Sequence, residues 1–277
     1  MYICPKCSLS LQRNQNTFAC PQNHSYDVAK SGYVNLLLGA KAGVHGDDKE
    51  MIDARRAFLS LGHYSAIADT VFEILNKHSR AKEIKILDAG CGEGYYTNKI
   101  YKNLKNNGFS IDFYGIDVSK DAVLSASKQY KDLNLSVGSV NALPFKDEGL
   151  DAVISLFAPL CENEFARVLK PGGILITVSP SENHLYGLKE KIYEKPYKNP
   201  PSTFVPTILQ KISSQTKEWD MTLSTQEGVT NLFKMTPYYH KSSKTDVEKA
   251  LSLTSVSTAI GFEFIVYQKQ PVSQYST

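Results

Sequence analysis

The chain of 277 residues has no apolar run that approaches the length of about 18 residues required by a membrane-spanning helix. Its first residues, MYICPKC, have neither the basic start nor the apolar core of a secretory signal peptide. We therefore expect a cytoplasmic protein without a membrane partner. Cysteine is also scarce, with five residues. In a reducing compartment this number argues against a disulfide framework and for thiolates that bind metal.

Strong charge is missing as well. The formal net charge of +3 is too small to identify a nucleic-acid-binding protein by itself. Arginine is scarce, with five residues against 26 lysines, and lysine binds phosphate as a point charge without the fork of arginine. Lys99, Lys102 and Lys105 share one face of a predicted helix. That face is interpreted as either a solvated surface or a basic patch for RNA.

Four residues with metal-binding side chains occupy the first 24 positions with the spacing C-x2-C-x12-C-x3-H. They are Cys4, Cys7, Cys20 and His24. Three thiolates and one imidazole complete a tetrahedral zinc site and leave no open position for water. The spacing therefore predicts a structural Zn²⁺ rather than a catalytic one. The alternative is a pair of buried free cysteines beside an unrelated histidine.

The order of patterns predicts the domain organisation. Residues 1–38 form the predicted metal-binding module, and residues 39–82 form a linker and a helical segment. Residues 39–48 are polar and glycine-rich, and Asp47 or Asp48 can cap the helix that follows at 50–61. From residue 83 onward, strands and helices alternate, which predicts an α/β domain with a mostly parallel sheet. Five strands are expected at 84–88, 112–118, 133–138, 151–157 and 174–179, and two late ones at 218–223 and 262–268.

The first of these strands runs into a glycine-rich turn, Asp88-x-Gly90-x-Gly92-x-Gly94, and then into a helix. Glycines at every second position allow the backbone to approach a ligand, and the spacing differs from the G-x-G-x-x-G of nicotinamide enzymes. Asp117 ends the next strand, where a carboxylate can accept both ribose hydroxyl protons. The pattern resembles the S-adenosyl-L-methionine site of class I (Rossmann-like) methyltransferases, which implies a seven-stranded sheet.

Two later segments bear on the adenine contact and on the methyl acceptor. Ser139 stands where such enzymes often carry an acidic residue, so the adenine contact is assigned to Ser139 and the Val140 backbone. The fourth strand ends in SLFAP and lacks the Asn/Asp-Pro-Pro-Tyr/Phe of adenine-amino enzymes. It also lacks the Pro-Cys nucleophile of cytosine-C5 enzymes, because Leu160 separates Pro159 from Cys161.

Nearly the whole chain resembles the 23S ribosomal RNA guanine-N1-methyltransferases of the RlmA type. The resemblance is carried by the zinc knuckles and by segments 27–37, 54–59, 62–64, 88–96, 158–159 and 235–238. It implies methyl transfer to N1 of a guanine, a homodimer, and zinc modules that grip a 23S rRNA hairpin. It also implies cofactor contacts from Tyr64, Gly92, Glu93 and the His184 region.

The general base stays open at this stage. His184, His240, Asp151 and Glu162 are candidates because they lie near predicted strand ends. Phe157, Tyr238 and Tyr239 are candidates to stack on the target base. Two alternatives remain beside rRNA methylation: a small-molecule methyltransferase of the quinone-biosynthesis kind, and a non-catalytic rRNA-binding assembly factor.

Overall fold

The computed structural model describes residues 1–39, 49–79 and 81–270. The predicted linker residues 40–48, with the helix caps assigned to Asp47 or Asp48, lie outside the described residues. The larger part of the described chain is an eight-stranded sheet flanked by helices. Ile84 and Ile86 of one central strand enter one hydrophobic cluster, whereas Leu87 and Ala89 enter another. The sheet is therefore buried on both faces, which is why its central strands read as nearly continuous apolar runs.

The elements of the main domain follow the predicted alternation closely. Its helices are α1 (Lys49–Ser60), α2 (Ser65–His78), α3 (Tyr95–Asn106), α4 (Lys120–Gln129), α5 (Glu162–Val168), α6 (Tyr186–Ile192), α7 (Gln226–Lys234), α8 (Tyr238–Lys241) and α9 (Lys244–Ser252). Its strands are β5 (Glu83–Ala89), β6 (Ser110–Asp117), β7 (Asn134–Val137), β8 (Leu150–Leu156), β9 (Leu169–Pro180), β10 (Leu209–Leu223) and β11 (Val256–Lys269).

These seven strands lie in the order β10-β11-β9-β8-β5-β6-β7. Strands β5 to β9 pair in parallel, and β11 pairs antiparallel with both β9 and β10. The class I methyltransferase fold expected from the sequence is thus confirmed. One difference is length: β10 begins at Leu209, nine residues before the predicted start at position 218. Apart from buried Leu209, this added part of β10 is mostly exposed although it pairs with β11, so it carries no apolar pattern.

The N-terminal module consists of three short strands, β1 (Gln12–Asn14), β2 (Thr17–Ala19) and β3 (Ser25–Asp27), followed by β4 (Val34–Asn35). Strand β4 leaves the module and pairs in parallel with β7, which gives the main sheet its unpredicted eighth strand. Tyr2 anchors the module from the other side: its ring lies 5.1 Å from that of Phe145 and 5.5 Å from that of Tyr114. The module therefore packs directly against the main domain.

None of the helices in the described part of the chain combines the length and apolarity that crossing a membrane would require.

Candidate metal and cofactor sites

The four predicted metal ligands converge in the N-terminal module. The ligand atoms of Cys4, Cys7, Cys20 and His24 all lie within 4.8 Å of one another. His24 Nδ1 is 3.4 Å from the sulfurs of both Cys4 and Cys20, and the sulfurs of Cys7 and Cys20 are 3.6 Å apart. A tetrahedral zinc site with ordinary bond lengths has ligand-to-ligand distances of roughly 3.6–3.8 Å. The spacing of these four atoms therefore fits a zinc ion bound by all four.

Local turns explain how the sequence builds this cluster. The N–H groups of Cys7 and Ser8 donate to the Cys4 carbonyl, and Ser8 has a positive φ of 59°. The second knuckle has a similar turn, since Asn23 N–H donates to the Cys20 carbonyl and Asn23 has a φ of 61°. Each pair of ligands thus sits on a tight turn, and the two turns face each other.

The surroundings of Cys4 favour the ionised form of its thiol. Burial opposes the thiolate, but hydrogen bonds from the Tyr26 hydroxyl and from the backbone of Lys6 and Cys7 outweigh it and lower the pKa of Cys4 to about 6. The Tyr26 oxygen is 3.2 Å from the Cys4 sulfur. A lowered thiol pKa favours the thiolate, which is the form that binds metal.

The glycine-rich turn lies at the carboxyl end of β5. Gly90, Gly92 and Gly94 have φ values of 92°, 54° and 83°, a region that side chains rarely allow. A Cβ atom on Gly90 would lie only 2.3 Å from Cβ of Ala158, so glycine is also required by the close approach of the β8 loop. The predicted turn is present, and its glycines adopt the conformations that the spacing suggested.

Asp117 holds the same turn from the neighbouring strand. One of its carboxylate oxygens accepts the Gly92 N–H at 2.9 Å, and the other accepts the Ser119 N–H at 2.8 Å. Asp117 pairs in register with Val137 at the end of β7, and Gly138 N–H donates to the Asp117 carbonyl. Ser139 and Val140 follow directly, so the predicted ribose and adenine contacts lie side by side at one edge of the sheet.

Asp88 supplies a buried carboxylate that is only partly satisfied by the protein. The Thr97 hydroxyl donates to one oxygen at 2.6 Å, while the other oxygen is buried and has no hydrogen-bond partner among the described residues. Burial raises the pKa of Asp88 to about 7; the Thr97 hydrogen bond opposes this shift, and the nearby Asp117 charge adds to it. A buried acceptor without a partner calls for a donor from a ligand. The ammonium group of S-adenosylmethionine is a donor of this kind.

Tyr64 and His184, assigned to the cofactor by family resemblance, form a buried pair. The Tyr64 oxygen is 3.2 Å from His184 Nε2, and Gly261 N–H donates to His184 Nδ1. Because Nδ1 accepts, Nε2 carries the ring hydrogen and donates it to Tyr64. Burial, with the nearby Lys189 charge, lowers the pKa of His184 to about 3, so the ring is neutral. Tyr64 therefore accepts from His184, and its own hydroxyl hydrogen is not used in this pair.

Phe157 is the exposed aromatic side chain of this region. It follows β8, has a φ of 59° although it is not glycine, and is 44% exposed. Its ring lies 5.4 Å from that of Phe262 and 6.1 Å from that of Tyr96, which itself lies two residues beyond the glycine turn. Such backbone strain is concentrated at functional sites. The ring is therefore placed at the cofactor edge with a face open to a second ligand.

The other three general-base candidates lie elsewhere. Asp151 is near the amino end of β8, opposite the cofactor edge, and its carboxylate accepts from Lys85 N–H and the Lys170 ammonium. Glu162 accepts the backbone N–H groups of Ile208 and Leu209 and so fixes the start of β10. His240 is exposed. Its Nε2 lies 3.0 Å from the Met51 sulfur. A position near a predicted strand end does not identify a general base, because the sequence does not show whether that end lies at the cofactor edge of the sheet.

Sequence reasoning missed two groups that shape the site. Thr97 orients Asp88, and its position three residues after Gly94, in the first turn of α3, was a usable signal. Lys189 is 1% exposed, and its ammonium donates to the Tyr197 carbonyl and to Asn199 Oδ1. Asn199 in turn accepts from the Tyr238 hydroxyl and donates to the His184 carbonyl. No local sequence pattern predicts this hydrogen-bond network, because its members come from separate segments of the chain.

Comparison with known proteins agrees with both sites. Residues 80–235, more than half of the chain, match the family described as a methyltransferase domain, and residues 2–39 match the N-terminal zinc ribbon described as RlmA. A Bacillus subtilis protein named putative 23S rRNA (guanine-N(1)-)-methyltransferase YxjB is 29% identical over 277 residues, covering 97% of each chain. A Micromonospora griseorubida protein named putative 23S rRNA (guanine-N(1)-)-methyltransferase is 31% identical and covers 68% of each chain. The Streptomyces fradiae 23S rRNA (guanine(748)-N(1))-methyltransferase is 29% identical over 68% of this chain and 66% of its own.

The fold and the matched domain define a class I methyltransferase. Within that class, the chain belongs to the family of 23S rRNA (guanine-N1)-methyltransferases that carry an RlmA-type zinc ribbon. Its cofactors are S-adenosyl-L-methionine, implied by the methyltransferase domain, and Zn²⁺, implied by the ribbon and its four-residue cluster.

Proposed function

We propose that the protein transfers a methyl group from S-adenosyl-L-methionine to N1 of one guanine in a 23S rRNA hairpin. The observation that carries this proposal is the similarity to the B. subtilis protein across 97% of the chain, because it spans both the zinc ribbon and the methyltransferase domain. A quinone-biosynthesis methyltransferase has no evident use for the ribbon. A non-catalytic assembly factor has no need for an intact glycine turn with Asp88 and Asp117.

The site geometry supports the following cofactor contacts. Asp117, whose carboxylate also accepts the Gly92 and Ser119 N–H groups, accepts the ribose hydroxyls, and Ser139 with the Val140 backbone faces adenine. The unpartnered oxygen of Asp88 accepts from the ammonium group. Glu93 and the Tyr64–His184 pair complete the contacts to the methionine part. Bound S-adenosylmethionine supplies a methyl group already activated by its sulfonium.

Phe157 is the proposed support for the acceptor. A guanine that leaves its hairpin stack needs a new surface, and the exposed face of Phe157 lies beside the cofactor turn. Tyr238 is less suited to this role, because its hydroxyl is committed to Asn199. Stacking on Phe157 would place N1 in line with the methyl group.

The protonation state of His184 favours a mechanism in which the protein places guanine N1 beside the methyl group, rather than one that uses a general base. The methyl carbon-to-sulfur bond breaks, a bond to N1 forms, and the N1 proton passes to water. His184 is neutral with both ring nitrogens engaged, so it acts here as a positioning residue for Tyr64. Asp151, Glu162 and His240 take no part in this arrangement.

The protein acts, in this proposal, as a cytoplasmic homodimer, because the rRNA substrate is in the cytoplasm and family resemblance implies two subunits. The outer edge of β10, a strand of 15 residues, pairs with none of the described residues and supports a subunit contact. Light scattering after gel filtration tests the dimer. A monomer at micromolar concentration would remove this part of the proposal.

Mass mapping of methyl groups on 23S rRNA from cells with and without the gene tests the function. The expected result is one guanine that lacks a methyl group at N1 when the gene is deleted. Wild-type protein should restore the methyl group, and the Asp117→Ala variant should not. An unchanged rRNA map, together with methylation of a small acceptor in vitro, would support the quinone-type alternative instead.

A further inference from the structure

A cavity of about 350 Å³ lies beside the cofactor turn, among α1, α3 and the end of α4. Arg56 of α1 and both Lys99 and Lys102 of α3 contribute its positive charge, and Glu93 of the turn contributes the negative charge. Neither Asp88 nor Asp117 lines it. The cavity therefore adjoins the proposed cofactor edge without being part of it.

The cations of this cavity form no close ion pair among the described residues, although Glu93 is near enough that the Arg56 charge opposes the rise in its pKa caused by burial. Within the described part of the chain, Arg56, Lys99 and Lys102 form no ion pair, whereas Lys85, Lys170 and Lys234 each pair with a carboxylate. The Nε atom of Arg56 is buried and has no hydrogen-bond partner among the described residues. A buried guanidinium nitrogen without a partner costs free energy unless a ligand supplies an acceptor.

A second cavity has the opposite balance of charged side chains. It is about 630 Å³ in volume and is lined by Lys49 and Lys234 together with Glu50, Asp53 and Glu227. There the acids outnumber the bases, and the Lys234 ammonium lies 2.6 Å from Glu50. The first cavity instead has three cationic side chains and one carboxylate. Only the first has the charge that attracts an anion.

Neutral donors add to the positive charge. Tyr95 and Tyr130 line the cavity, and neither hydroxyl has a hydrogen-bond partner among the described residues. Burial, with a smaller contribution from Glu93, raises the pKa of both phenols, that of Tyr130 to about 12. Both hydroxyls are therefore protonated donors at neutral pH. Lys99 and Lys102 are three residues apart on α3, so their side chains project from the same helix face.

We propose that this cavity binds the phosphodiester backbone of the rRNA hairpin, as an RNA contact in addition to the zinc module. Cationic side chains and phenol hydroxyls without hydrogen-bond partners are suited to phosphate oxygens, although the Lys99 ammonium also lies over the Tyr95 ring at 5.4 Å. Two lysines in succession along α3 fit consecutive phosphates of a chain. Glu93 belongs to both the turn and the cavity wall, so a strand held here passes next to the cofactor edge. The RNA identity of the ligand rests on the proposed function.

The test compares two double variants of equal charge. Lys99→Ala with Lys102→Ala removes the cavity lysines, and Lys77→Ala with Lys244→Ala removes two exposed lysines, from the last turn of α2 and the first turn of α9, that do not line it. Fluorescence anisotropy measures the affinity for the target hairpin at several salt concentrations. The cavity variant should lose about tenfold in affinity at low salt, with a salt slope shallower by roughly 1.4–1.8 for two lost contacts. Calorimetry should show unchanged S-adenosylmethionine affinity in both variants.

Each other outcome has a defined meaning. Equal losses of hairpin affinity in the two variants would overturn the cavity as a site and leave only a diffuse positive field. Weakened cofactor binding in the cavity variant would assign the lysines to the cofactor and also overturn the proposal. Unchanged hairpin affinity and KM in the cavity variant, with normal methylation by wild type, would overturn the cavity but not the proposed function. Absence of hairpin methylation by wild type would overturn the function itself.

Discussion

The zinc module and the methyltransferase domain hold their structures by different means. Strands β1 to β3 are three residues long, β1 and β3 are mostly exposed, β2 is half-buried, and Cys4 and Cys20 are among the few buried side chains of the module. In contrast, β5 and β8 are almost completely buried between two layers of apolar side chains. The module depends on a few strong metal bonds, whereas the domain depends on many weak contacts.

The two regions are nevertheless joined at specific points. Tyr2 packs on Phe145, and Leu36 N–H donates to the Val137 carbonyl, two residues before Ser139. The edge strand contributed by the module thus lies close to the proposed adenine contact. Because the two regions are stabilised differently but share these contacts, we expect loss of metal to affect cofactor binding only weakly.

The largest effect should come from the metal site. Cys4→Ser should release zinc and unfold residues 1–38, because apparent binding energies of structural zinc sites are about 10–16 kcal/mol and a module this short has little other core. Zinc content by atomic emission and proteolysis of the module measure the loss. Hairpin binding should fall, while S-adenosylmethionine affinity should change less than about threefold, since Asp88 and Asp117 belong to the main domain and not to residues 1–38.

Cys161→Ser provides the matched control, because it is the same change at a cysteine outside the cluster. It should retain zinc and both binding activities. Equal loss of RNA and cofactor binding in Cys4→Ser would show that the contacts through Tyr2 and Leu36 couple the two regions more strongly than expected.

Much of the fold was predictable because local patterns and global structure agree. The strand that ends at Asp88, the glycine turn and the four zinc ligands each depend on residues close together in sequence. The geometry of the metal cluster and of the Asp117–Gly92 contact agrees with the interpretation drawn from spacing. The residue assignments for the cofactor and the boundary at residue 38 remain predictions.

The unpredicted features depend on distant partners. Val34 and Asn35 form a strand only because β7 offers a free edge, and two residues are too few to show alternation. The first half of β10 pairs with β11 without burying a face, so it lacks the apolar period of a strand. Lys189 is buried by segments that come together only in the folded chain. Asp151 is a candidate base by sequence position, but it lies near the amino end of β8. The sequence alone does not show at which edge of the sheet such a residue lies.

The second prediction concerns the cofactor side of the comparison. Asp117→Ala should weaken S-adenosylmethionine binding by roughly 1.5–3 kcal/mol, the range for hydrogen bonds to a charged group. The change also removes the acceptor for Gly92 and Ser119 N–H, which loosens the turn. Isothermal calorimetry gives the dissociation constant. Asp112→Ala, at the opposite end of β6, is the control and should bind normally. An unchanged affinity in Asp117→Ala would move the ribose contact elsewhere.

The third prediction is a pH effect at Asp88. Burial raises its pKa to about 7, so the folded state holds a proton that the unfolded state releases near pH 4. The carboxyl group therefore reduces stability progressively as the pH rises from about 4 to 7. Asp88→Asn should raise the free energy of unfolding at pH 8 by roughly 1–3 kcal/mol. Denaturant titration at pH 5 and pH 8 should show a clearly larger gain at pH 8, because at pH 5 only a small part of the penalty has developed.

The same variant should weaken cofactor binding, because an amide cannot offer a charge to the ammonium group. In wild type, S-adenosylmethionine affinity should increase as the pH rises through 7 and Asp88 ionises, and Asp88→Asn should flatten this dependence. Asp112→Asn should change neither profile. A destabilised Asp88→Asn protein at pH 8 would indicate that the buried oxygen has a partner in the protein.

The smallest expected effect concerns the surface of the zinc module. Lys6 and Arg13 are exposed, and Arg13 lies over the Phe18 ring at 5.9 Å. If both contact phosphates, replacing them by alanine should make the salt slope of hairpin binding shallower by roughly 0.9 per contact for a duplex. Zinc content should stay normal, because neither side chain is a ligand. Hairpin affinity at two salt concentrations measures the change, with the Lys77 and Lys244 double variant as the charge-matched control. If the slope of the Lys6 and Arg13 variant equals that of the control, these residues only solvate the module, and RNA selection by the module must depend on other groups.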